Sequence, residues 1–407
     1  MNDSPLELAV IGAGPVGLAL ALHAARALPK AKVTLFDARP ADKDLSADPR
    51  TLALSLGSVQ ILQRLGAWRA DLAQPILEVH VSQAPPSTTA LIGGWLGEPE
   101  LRIRAVDEAV PMLGAVLGYG AIVGPLQSVW MQAERREPQR LHSRFGTAVA
   151  ALKNLAGGVE VDSGIAECFD LAVVAEGGVF GAQNRMLPTE PVRAALQHDY
   201  GQTAWVGRVA FDAGDTPRAP GVAFERFTRH GPAALLPLPD GQAALVWCVA
   251  SADDPVRELS DAQRVAVLNT IFHPAVGRIA SVTPLKAFAL GLNAERTLTD
   301  GRTVRIGNAA QTLHPVAGQG LNLGMRDAFE LVRALAKNAD VGAVLRRLEW
   351  QRAPDRWAMI FATDFLARSF TWKLPGAGAA RGFGIAALQA LGPLKSAIAR
   401  QMMYGSR

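Results

Sequence analysis

Three glycines near the N-terminus have a spacing that could bind phosphate. Gly12, Gly14 and Gly17 form the pattern G-x-G-x-x-G directly after an apolar run at residues 8–11. The first glycine permits a tight turn, the second leaves room for a pyrophosphate, and the third lets a helix pack close to the strand. Asp37 follows Gly17 by 20 residues, where such units place an acid against the ribose hydroxyls. The spacing predicts dinucleotide binding.

The elements around these glycines predict a strand–helix–strand unit. Residues 8–11 and 33–36 are apolar enough for buried strands, and residues 18–28 are typical of a helix packed on a sheet. The N–H groups at the start of that helix attract anions. Pro15 costs little there because a first-turn N–H has no intrahelical partner, and we assign Pro15 and Val16 to the same site. The alternative is a glycine-rich turn that binds nothing.

Composition limits the classes of protein to which the chain can belong. Its 407 residues allow two or three domains, and 49% hydrophobic with 19% charged residues predict a folded protein. The net charge of +4 is too small to suggest nucleic-acid binding. Cys168 and Cys248 are far apart, which argues against a disulfide framework or a metal site and favours a reducing cytoplasm. We expect no secretory signal and no membrane-spanning helix.

The rest of the chain predicts a mixed architecture. The residue patterns predict helices at 58–66, 114–131, 261–272 and 321–336, strands at 78–82, 169–174, 203–211, 221–227, 233–236, 243–249 and 302–306, and mostly helix after residue 340. The middle strands are short and separated by Pro/Gly turns, as in an antiparallel sheet. The apolar run at 169–174 suits a parallel sheet covered on both faces.

The stretch RTVRIGNAAQTLHPVAGQGLNLGMRD at 302–327 resembles the flavin-binding signature of single-component FAD-dependent aromatic hydroxylases. It is most similar to the ubiquinone-biosynthesis hydroxylases. Within that family, the resemblance leans towards the 2-polyprenyl-6-methoxyphenol hydroxylase branch. The N-terminal glycines with Asp37, the block 48–54 and the block 223–238 carry the same resemblance. It implies an α/β fold of the p-hydroxybenzoate hydroxylase type, in which a Rossmann-like, glutathione-reductase-like FAD-binding domain carries an inserted antiparallel substrate domain and C-terminal helices.

The resemblance also implies how the domains divide the chain. The expected segments are FAD-binding domain 1–75, 101–180 and 291–340, substrate domain 76–100 and 181–290, and a C-terminal helical region 341–407. FAD is the implied cofactor. The residues implied at its site are Gly12, Gly14, Pro15, Val16, Gly17, Asp37, Arg50, Glu176, Asn308, Pro315, Gly318, Gln319, Gly320, Leu321 and Asn322. Arg50 is expected near the pyrophosphate.

Three positions depart from the pattern of the family. Glu176 stands where the family has aspartate, Asn308 where the wider family has aspartate, and Gln311 where histidine is common. The first two departures leave the strength of FAD retention open.

The implied chemistry belongs to the cofactor. NAD(P)H, a transient co-substrate without a Rossmann domain of its own, reduces FAD, and O2 then forms a flavin C4a-hydroperoxide that hydroxylates an electron-rich ring. The helix that begins near Leu321 would stabilise negative charge on the reduced flavin, unless it is an ordinary capped helix. His314 is a weak catalytic candidate, and a structural hydrogen-bonding role is favoured. Glu225 and Arg226 are interpreted as a cross-strand charge pair on the middle sheet.

These inferences favour a hydroxylase of a polyprenylated phenol in ubiquinone biosynthesis. The Glu176 variant leans towards the 2-polyprenyl-6-methoxyphenol step. Ring position, prenyl length and the preference for NADPH or NADH stay open. The alternatives are the same fold acting on a soluble phenol or another lipid, and a flavin-poor scaffold of a quinone-biosynthesis assembly. A simple NAD-linked dehydrogenase would not need the second glycine-rich loop.

The C-terminal tail suggests a membrane contact. After Asp364 the chain has six basic residues and no acidic one, interleaved with large apolar residues. This pattern suits a peripheral helix at the inner face of the membrane. It equally suits a helix packed on the body with a solvated basic face. Homo-oligomers or a quinone-biosynthesis complex are further expected partners.

Overall fold

The computed structural model describes residues 5–46, 48–84, 98–177, 196–212, 220–315, 318–371 and 377–405. Its strands are, in chain order, β1 (Glu7–Ile11), β2 (Lys32–Asp37), β3 (Thr51–Ser55), β4 (Gln74–Ile76), β5 (Glu78–Gln83), β6 (Glu100–Arg104), β7 (Gly114–Gly118), β8 (Leu141–Phe145), β9 (Ala151–Asn154), β10 (Val159–Asp162), β11 (Ala166–Phe169), β12 (Leu171–Val174), β13 (Leu196–Phe211), β14 (Val222–Phe227), β15 (Pro232–Pro237), β16 (Ala243–Ala250), β17 (Ile279–Val282), β18 (Lys286–Ala294), β19 (Thr299–Asp300), β20 (Thr303–Arg305) and β21 (Gln311–Thr312).

The α-helices lie on and between the sheets that these strands form. They are α1 (Pro15–Ala27), α2 (Leu56–Arg64), α3 (Tyr119–Arg136), α4 (Asp261–Ile271), α5 (Gly320–Leu335), α6 (Val341–Thr371), α7 (Ala377–Ala390) and α8 (Gly392–Tyr404). Among the described helices, none combines the length and the apolar character that crossing a bilayer requires.

A parallel sheet carries the N-terminal glycine pattern. In the described residues its order is β19-β20-β12-β1-β2-β8, with parallel pairing throughout except between β19 and β20. The strands β1 and β12 are buried over nearly their whole length, as expected for a sheet covered on both faces. Helices α1, α3 and α5 contribute to the apolar core that contacts this sheet. The carboxyl ends of β1, β2 and β12 therefore meet at one edge, where ligands bind in such sheets.

A second, larger sheet is mostly antiparallel. Its described strands have the order β21-β18-β13-β16-β15-β14-β5-β6, with β17 paired to β13. Only the β14–β5 pair among them is parallel. The long β13 has a register shift between Asp199 and Gln202, which bends it and lets it pair with β18 on one side and with β16 on the other. This layout confirms the predicted mixed α/β fold with an antiparallel sheet in the middle of the chain.

Three of the predicted elements are wrong in type or extent. The predicted helix at 114–131 is a strand, β7, followed by helix α3, because Gly118 lies in extended backbone and caps the helix. The predicted single strand at 169–174 is two strands, because Asp170 leaves the ladder and its carboxylate accepts from the Glu7 N–H at 2.8 Å. The strand predicted at 203–211 begins seven residues earlier, at Leu196. The strands predicted at 221–227, 233–236 and 243–249 and the helix at 321–336 are confirmed within one or two residues.

Candidate functional site

The glycine loop between β1 and α1 has no room for other side chains at two of its positions. A Cβ on Gly17 would lie 1.8 Å from the Gly12 carbonyl oxygen. One on Gly12, whose φ is +102°, would lie 2.9 Å from the Glu176 nitrogen. Gly14 caps α1 without a side-chain bond, and a Cβ there would have only the Tyr119 hydroxyl, at 3.9 Å, within contact range. The loop therefore presents backbone N–H groups to an open surface, as a pyrophosphate requires.

Asp37 lies at the end of β2 beside this loop. Its Oδ2 accepts from the Ala13 N–H at 2.5 Å, and its Oδ1 accepts from the Arg39 N–H at 2.7 Å. The Arg39 guanidinium donates to the Ala13 carbonyl at 3.3 Å and to Gln127 Oε1 at 3.0 Å. Asp37 thus fixes the loop conformation and stands where a ribose hydroxyl could be bound. Arg39 and Gln127 also lie beside Asp37, and neither was predicted as a site residue, although Arg39 follows Asp37 by only two residues.

Glu176 follows β12 and reaches the same edge of the sheet. Burial raises the pKa of its carboxyl, and the nearby Asp37 charge raises it further. Its backbone lies against Gly12. The structure therefore brings Glu176, Gly12 and Asp37 together, as predicted from sequence positions more than a hundred residues apart. Two carboxyl groups close to one another favour a ligand that donates hydrogen bonds.

Arg50 stacks on an aromatic residue beside the loop. Its guanidinium lies 3.7 Å from the centre of the Tyr119 ring and pairs with Asp48, Nη2 to Oδ2, at 2.6 Å. The Asp48 carboxylate raises the pKa of Arg50, and the side chain is 55% exposed. The Tyr119 hydroxyl in turn approaches Gly14. Tyr119 is a site residue that the sequence analysis missed because the segment was assigned to one long helix.

The second glycine-rich loop lies at the start of α5. Residues 316 and 317 of this loop are outside the described residues. The N–H of Gly318, whose φ is +58°, donates to the Pro315 carbonyl at 2.9 Å, and Gln319 is the residue that caps α5. A Cβ on Gly320 would lie 3.5 Å from Asn308 Oδ1. Gly320, Leu321 and the N–H groups of this first turn therefore form a second helix N-terminus with backbone donors.

Asn322 has a different role from its neighbours. Its Oδ1 accepts from the Ser55 N–H and from the Ser58 hydroxyl, both at 2.8 Å, and its Nδ2 donates to the Ala53 and Gly318 carbonyls at 3.1 and 3.0 Å. These four bonds use the capacity of the amide. The side chain joins the α5 loop to the β3–α2 junction, so only the backbone of Asn322 is free to contact a cofactor.

The two helix N-termini lie against each other. A Cβ on Gly324 of α5 would lie 2.9 Å from Val16 Cγ2 and 2.7 Å from the Gly307 Cα. Val16 belongs to the first turn of α1, and Gly307 with Asn308 follows β20. The contact of Val16, Gly307 and Gly324 therefore places the first loop, the Asn308 segment and the second loop at one site. An extended dinucleotide with a ring system at one end suits two adjacent sets of backbone donors.

His314 is buried away from solvent just before the second loop. It is 2% exposed, its Nε2 lies 3.1 Å from Gln202 Oε1, and its ring packs edge-on to Tyr200. Burial lowers the pKa of His314 to about 4, so the imidazole is neutral at pH 7. Gln202 also donates to the Ala367 carbonyl on α6 at 3.2 Å. These contacts are those of a residue that joins β13 to the second loop.

A buried charged network lies behind the start of α5. Arg326 Nη2 donates to Gln319 Oε1 at 3.2 Å, and its Nη1 donates to Asp355 Oδ2 at 3.1 Å. Asp355, which is fully buried, also pairs with Arg352 at 2.8 Å and accepts from Gln401 of α8 at 2.7 Å. Helices α6 and α8 thereby hold the residue that caps α5. No pattern in the sequence predicted this network.

Arg226 lies on the second sheet, remote from both loops. Its Nη1 pairs with Glu98 Oε2 at 2.5 Å and its Nε donates to the Ile271 carbonyl at 2.9 Å. Since adjacent residues of a strand point to opposite faces, Glu225 and Arg226 are not neighbours on one face.

Comparisons with known proteins find relatives over nearly the whole chain. The FAD binding domain family matches residues 190–360. Ubiquinone hydroxylase UbiL of Rhodospirillum rubrum is 30% identical over 98% of this chain and 90% of its own length. The 3-demethoxyubiquinol 3-hydroxylase of Escherichia coli is 29% identical, over 97% of both chains.

Solved structures show the same fold at low identity. Klebsiella pneumoniae HpxO, complexed with FAD and uric acid, superimposes with a TM-score of 0.71 at 16% identity, over 98% of this chain and 97% of that one. The p-nitrophenol 4-monooxygenase PnpA of Pseudomonas putida has a TM-score of 0.72, also at 16% identity, over 99% of both chains.

Proposed function

The chain belongs to the FAD-dependent aromatic hydroxylases of ubiquinone biosynthesis, and from this premise we propose that it hydroxylates the ring of a polyprenylated phenol with NAD(P)H and O2. The two relatives are named as a ubiquinone hydroxylase and a 3-demethoxyubiquinol 3-hydroxylase. The observation that carries the proposal is the contact of Val16, Gly307 and Gly324, which brings the two helix starts to one place.

We assign the cofactor contacts to the backbone more than to side chains. When bound, FAD accepts a hydride and activates O2. The N–H groups after Gly14 would hold the pyrophosphate, and Asp37 would accept a hydrogen bond from a ribose hydroxyl while it keeps its bond to Ala13. The first turn of α5, from Gly320, would present its N–H groups and dipole to the ring, where they would stabilise negative charge.

Three side chains have proposed supporting roles at this site. Arg50, stacked on Tyr119, provides a cation next to the pyrophosphate loop. Glu176, whose pKa is raised by burial, accepts or donates a hydrogen bond at the sheet edge without forcing two charges together. Asn308 provides an amide at the start of α5.

The proposed substrate pocket lies between the second sheet and the flavin. Its support is an apolar cluster between this sheet and the C-terminal helices, to which Phe227 and Ile385 contribute. The proposed division into domains follows the two large sheets. The lean towards the 2-polyprenyl-6-methoxyphenol step stays a prediction.

Two measurements test the function. Purified protein should contain FAD, and NADPH oxidation should accelerate when a prenylated phenol is added. Deletion of the gene should cause one prenylated phenol that lacks one hydroxyl to accumulate, with ubiquinone lost. Protein without flavin and without NADPH-driven O2 uptake would favour the scaffold alternative. If a soluble phenol stimulates NADPH oxidation more than the prenylated one, the substrate assignment changes and the fold assignment stands.

A peripheral contact with the inner face of the membrane is part of the proposal. The exposed face of α6 carries Trp350, Phe361 and Phe365, which are 82%, 60% and 58% exposed. At about 100° per residue they fall within about 60° on the helix surface, a stripe that can lie on a bilayer. All four exposed aromatic residues among the described large hydrophobics belong to α6 and α7.

The basic residues of α8 contribute less to this surface than the sequence suggested. Arg400 lies 3.5 Å from Glu108, and Lys395 donates to the Arg102 carbonyl at 3.3 Å. These contacts support packing of α8 on the body. Lys373 and Arg407 are outside the described residues.

Vesicle flotation tests the membrane contact. Replacing Phe361 and Phe365 together by serine should abolish most binding to phosphatidylethanolamine–phosphatidylglycerol vesicles. Ile165→Ser, at a residue 73% exposed on another surface, is the matched control and should bind like the wild type. Equal flotation of all three proteins would reject the α6 stripe. A homodimer that dissociates in the double variant would instead assign the stripe to self-association.

A further inference from the structure

A shallow groove of about 220 Å³ lies between the end of α5 and the start of α6. Its lining from α5 includes Arg333 and Lys337, and its lining from α6 includes Arg347 and Gln351. The volume is below the roughly 300–1,000 Å³ of sites that enclose a whole small molecule. The groove is therefore of a size for a small charged group and not for a complete dinucleotide.

The groove is positively charged. Within the described residues, neither Lys337 nor Arg347 forms an ion pair, and both residues are exposed. The acids nearby have partners of their own. Glu330 pairs with Arg333, Oε2 to Nη2, at 2.6 Å, and Asp340 accepts from an N–H in the first turn of α6 at 3.1 Å. Two cations are thus available for an anion from outside the protein.

The position of Arg347 is not explained by stability of the helix. Its neighbours at three and four residues along α6 are Ala343, Val344, Trp350 and Gln351, so no acid can pair with it on the helix surface. Helix α6 begins only six residues earlier, and a helix dipole favours cations at the other end. An anion that binds from outside would give this arginine a role.

The groove opens on the same face of α6 as the exposed aromatic residues. Arg347 and Phe365 are 18 residues apart, which is five full turns at about 100° per residue and about 27 Å along the axis. Trp350 and Phe361 fall within about 60° of the line that joins them. All four residues belong to one 31-residue helix. One face of α6 therefore presents cations at its start and aromatic side chains along the rest.

We propose that this groove binds the phosphate of an anionic phospholipid, with Lys337 and Arg347 as its contacts. The inference rests on the peripheral membrane contact of the proposed function, and it names the lipid that this contact requires. Anionic lipids of the cytoplasmic leaflet attract basic residues beside a helix that lies in the interface. A phosphodiester suits the size of the groove, and its acyl chains would extend into the layer that Trp350, Phe361 and Phe365 enter.

The test compares the FAD-loaded enzyme with three double variants. Lys337→Gln with Arg347→Gln removes both charges, and Lys337→Arg with Arg347→Lys keeps them. The matched control is Lys153→Gln with Arg278→Gln, the same charge change at exposed residues on other surfaces. Lys153 lies on β9, whose sheet covers the face of the parallel sheet opposite to α5. Flotation with phosphatidylcholine vesicles, with and without phosphatidylglycerol, gives the apparent Kd for each membrane.

The groove assignment makes distinct predictions for each variant. Removing both charges should raise the Kd for phosphatidylglycerol vesicles about 25-fold, since each basic residue at an anionic surface contributes about fivefold. The charge-keeping variant and the control should bind as the wild type does. Vesicles of phosphatidylcholine alone should bind all four proteins equally and weakly. The Tm and the rate of NADPH oxidation with a soluble phenol should be the same in all four, because the substituted residues are exposed.

The contrary outcomes separate the groove from the wider membrane contact. An unchanged Kd after removal of both charges would overturn the groove, and the membrane contact would stand if serine at Phe361 and Phe365 still abolishes flotation. An equal loss in the control would also overturn the groove, since net charge would then explain the binding.

Two further results would overturn the lipid assignment. Calorimetry with inorganic phosphate should show no saturable binding. Saturable binding that the charge-removing variant loses would replace the lipid by a soluble anion. A wild-type enzyme that floats with neither kind of vesicle would overturn the groove and the membrane contact together, and the proposed hydroxylation would still be decided by NADPH oxidation with a phenol.

Discussion

The two glycine-rich loops of this protein form helix starts of the same kind but are held in different ways. The loop before α1 is fixed by contacts with Asp37 and with the backbone of Glu176, at the ends of adjacent strands. The loop before α5 is fixed by side chains from distant elements, through Asn322 and through the buried pair of Arg326 and Asp355. Remote substitutions should therefore affect the loop before α5 more than the loop before α1, although both loops offer the same backbone donors.

This difference has consequences for how the flavin site fails. The first loop depends on the absence of side chains at its glycines, so it should respond to added atoms. The second depends on buried polar groups that satisfy one another, so it should respond to removed ones. Four predictions test this contrast, in order of decreasing expected effect.

Asp355→Ala should have the largest effect, although Asp355 lies in neither loop. The change leaves the charges of Arg326 and Arg352 buried without their shared partner, which should lower the free energy of unfolding by about 3–5 kcal/mol. Chemical denaturation and the flavin-to-protein ratio measure it. Asp71→Ala, which removes an exposed partner of Arg69, is the control and should leave both unchanged. Full stability and flavin content in Asp355→Ala would contradict the network.

Gly17→Ala should damage the first loop by addition. The new Cβ would lie 1.8 Å from the Gly12 carbonyl oxygen, and the forced backbone shift should cost about 3 kcal/mol and abolish FAD retention. Gly157→Ala, where a Cβ would have no neighbour within 4 Å, is the control. Absorbance of bound flavin after gel filtration gives the result. If Gly17→Ala retains FAD, the loop does not need close packing of α1.

Asn322→Ala should damage the second loop by removal. The Ser55 N–H and the Ser58 hydroxyl would lose their acceptor, so the free energy of unfolding should fall by about 2–3 kcal/mol. Ser58→Ala removes only one of these donors and should cost about 1 kcal/mol. The same denaturation series compares the two variants. Equal costs would mean that Asn322 acts through cofactor contact and not as a link between segments.

The smallest of the four effects should be a pH dependence of the free energy of unfolding, which comes from His314 just before the second loop. Because burial lowers the pKa of His314 to about 4, against 6.5 when unfolded, the unfolded state binds more protons between these values. The stabilisation is complete above pH 6.5 and is lost as pH falls towards 4, by about 2 kcal/mol between pH 7 and pH 5. His314→Gln should remove this part of the pH dependence in denaturation curves. An unchanged pH profile would assign it to another group.

Some parts of the site could be predicted from the sequence because they are local. A turn that demands glycine and a helix that follows it are encoded within a few residues. This is why Gly12, Gly14, Gly17 and the start of α5 were found. The segment at 114–131 was predicted wrongly because its apolar residues suit a buried strand and a helix equally well, and only pairing with β3 and β4 separates β7 from α3.

Other parts depend on which distant segments meet. Ser55 and Asn322 are 267 residues apart, and Asp355 joins Arg326 to a helix at the end of the chain. Hydrogen-bond partners at such separations are set by the packing of α5, α6 and α8, which no local pattern specifies. Tyr119 and Arg39 were missed for the same reason. Arg50 meets Tyr119 where β3 pairs with β7, and Arg39 meets Gln127 of α3 only in the folded chain.

The sequence by itself determined that two glycine-rich helix starts exist, that an acid follows the first, and that the chain resembles a flavin-dependent hydroxylase. These features follow from backbone conformations that neighbouring residues allow or forbid. Only the folded chain shows that Val16, Gly307 and Gly324 come into contact and that the side-chain amide of Asn322 is used inside the protein. These contacts form only when distant segments pack together, because burial and charge pairing are properties of the folded chain and not of any segment.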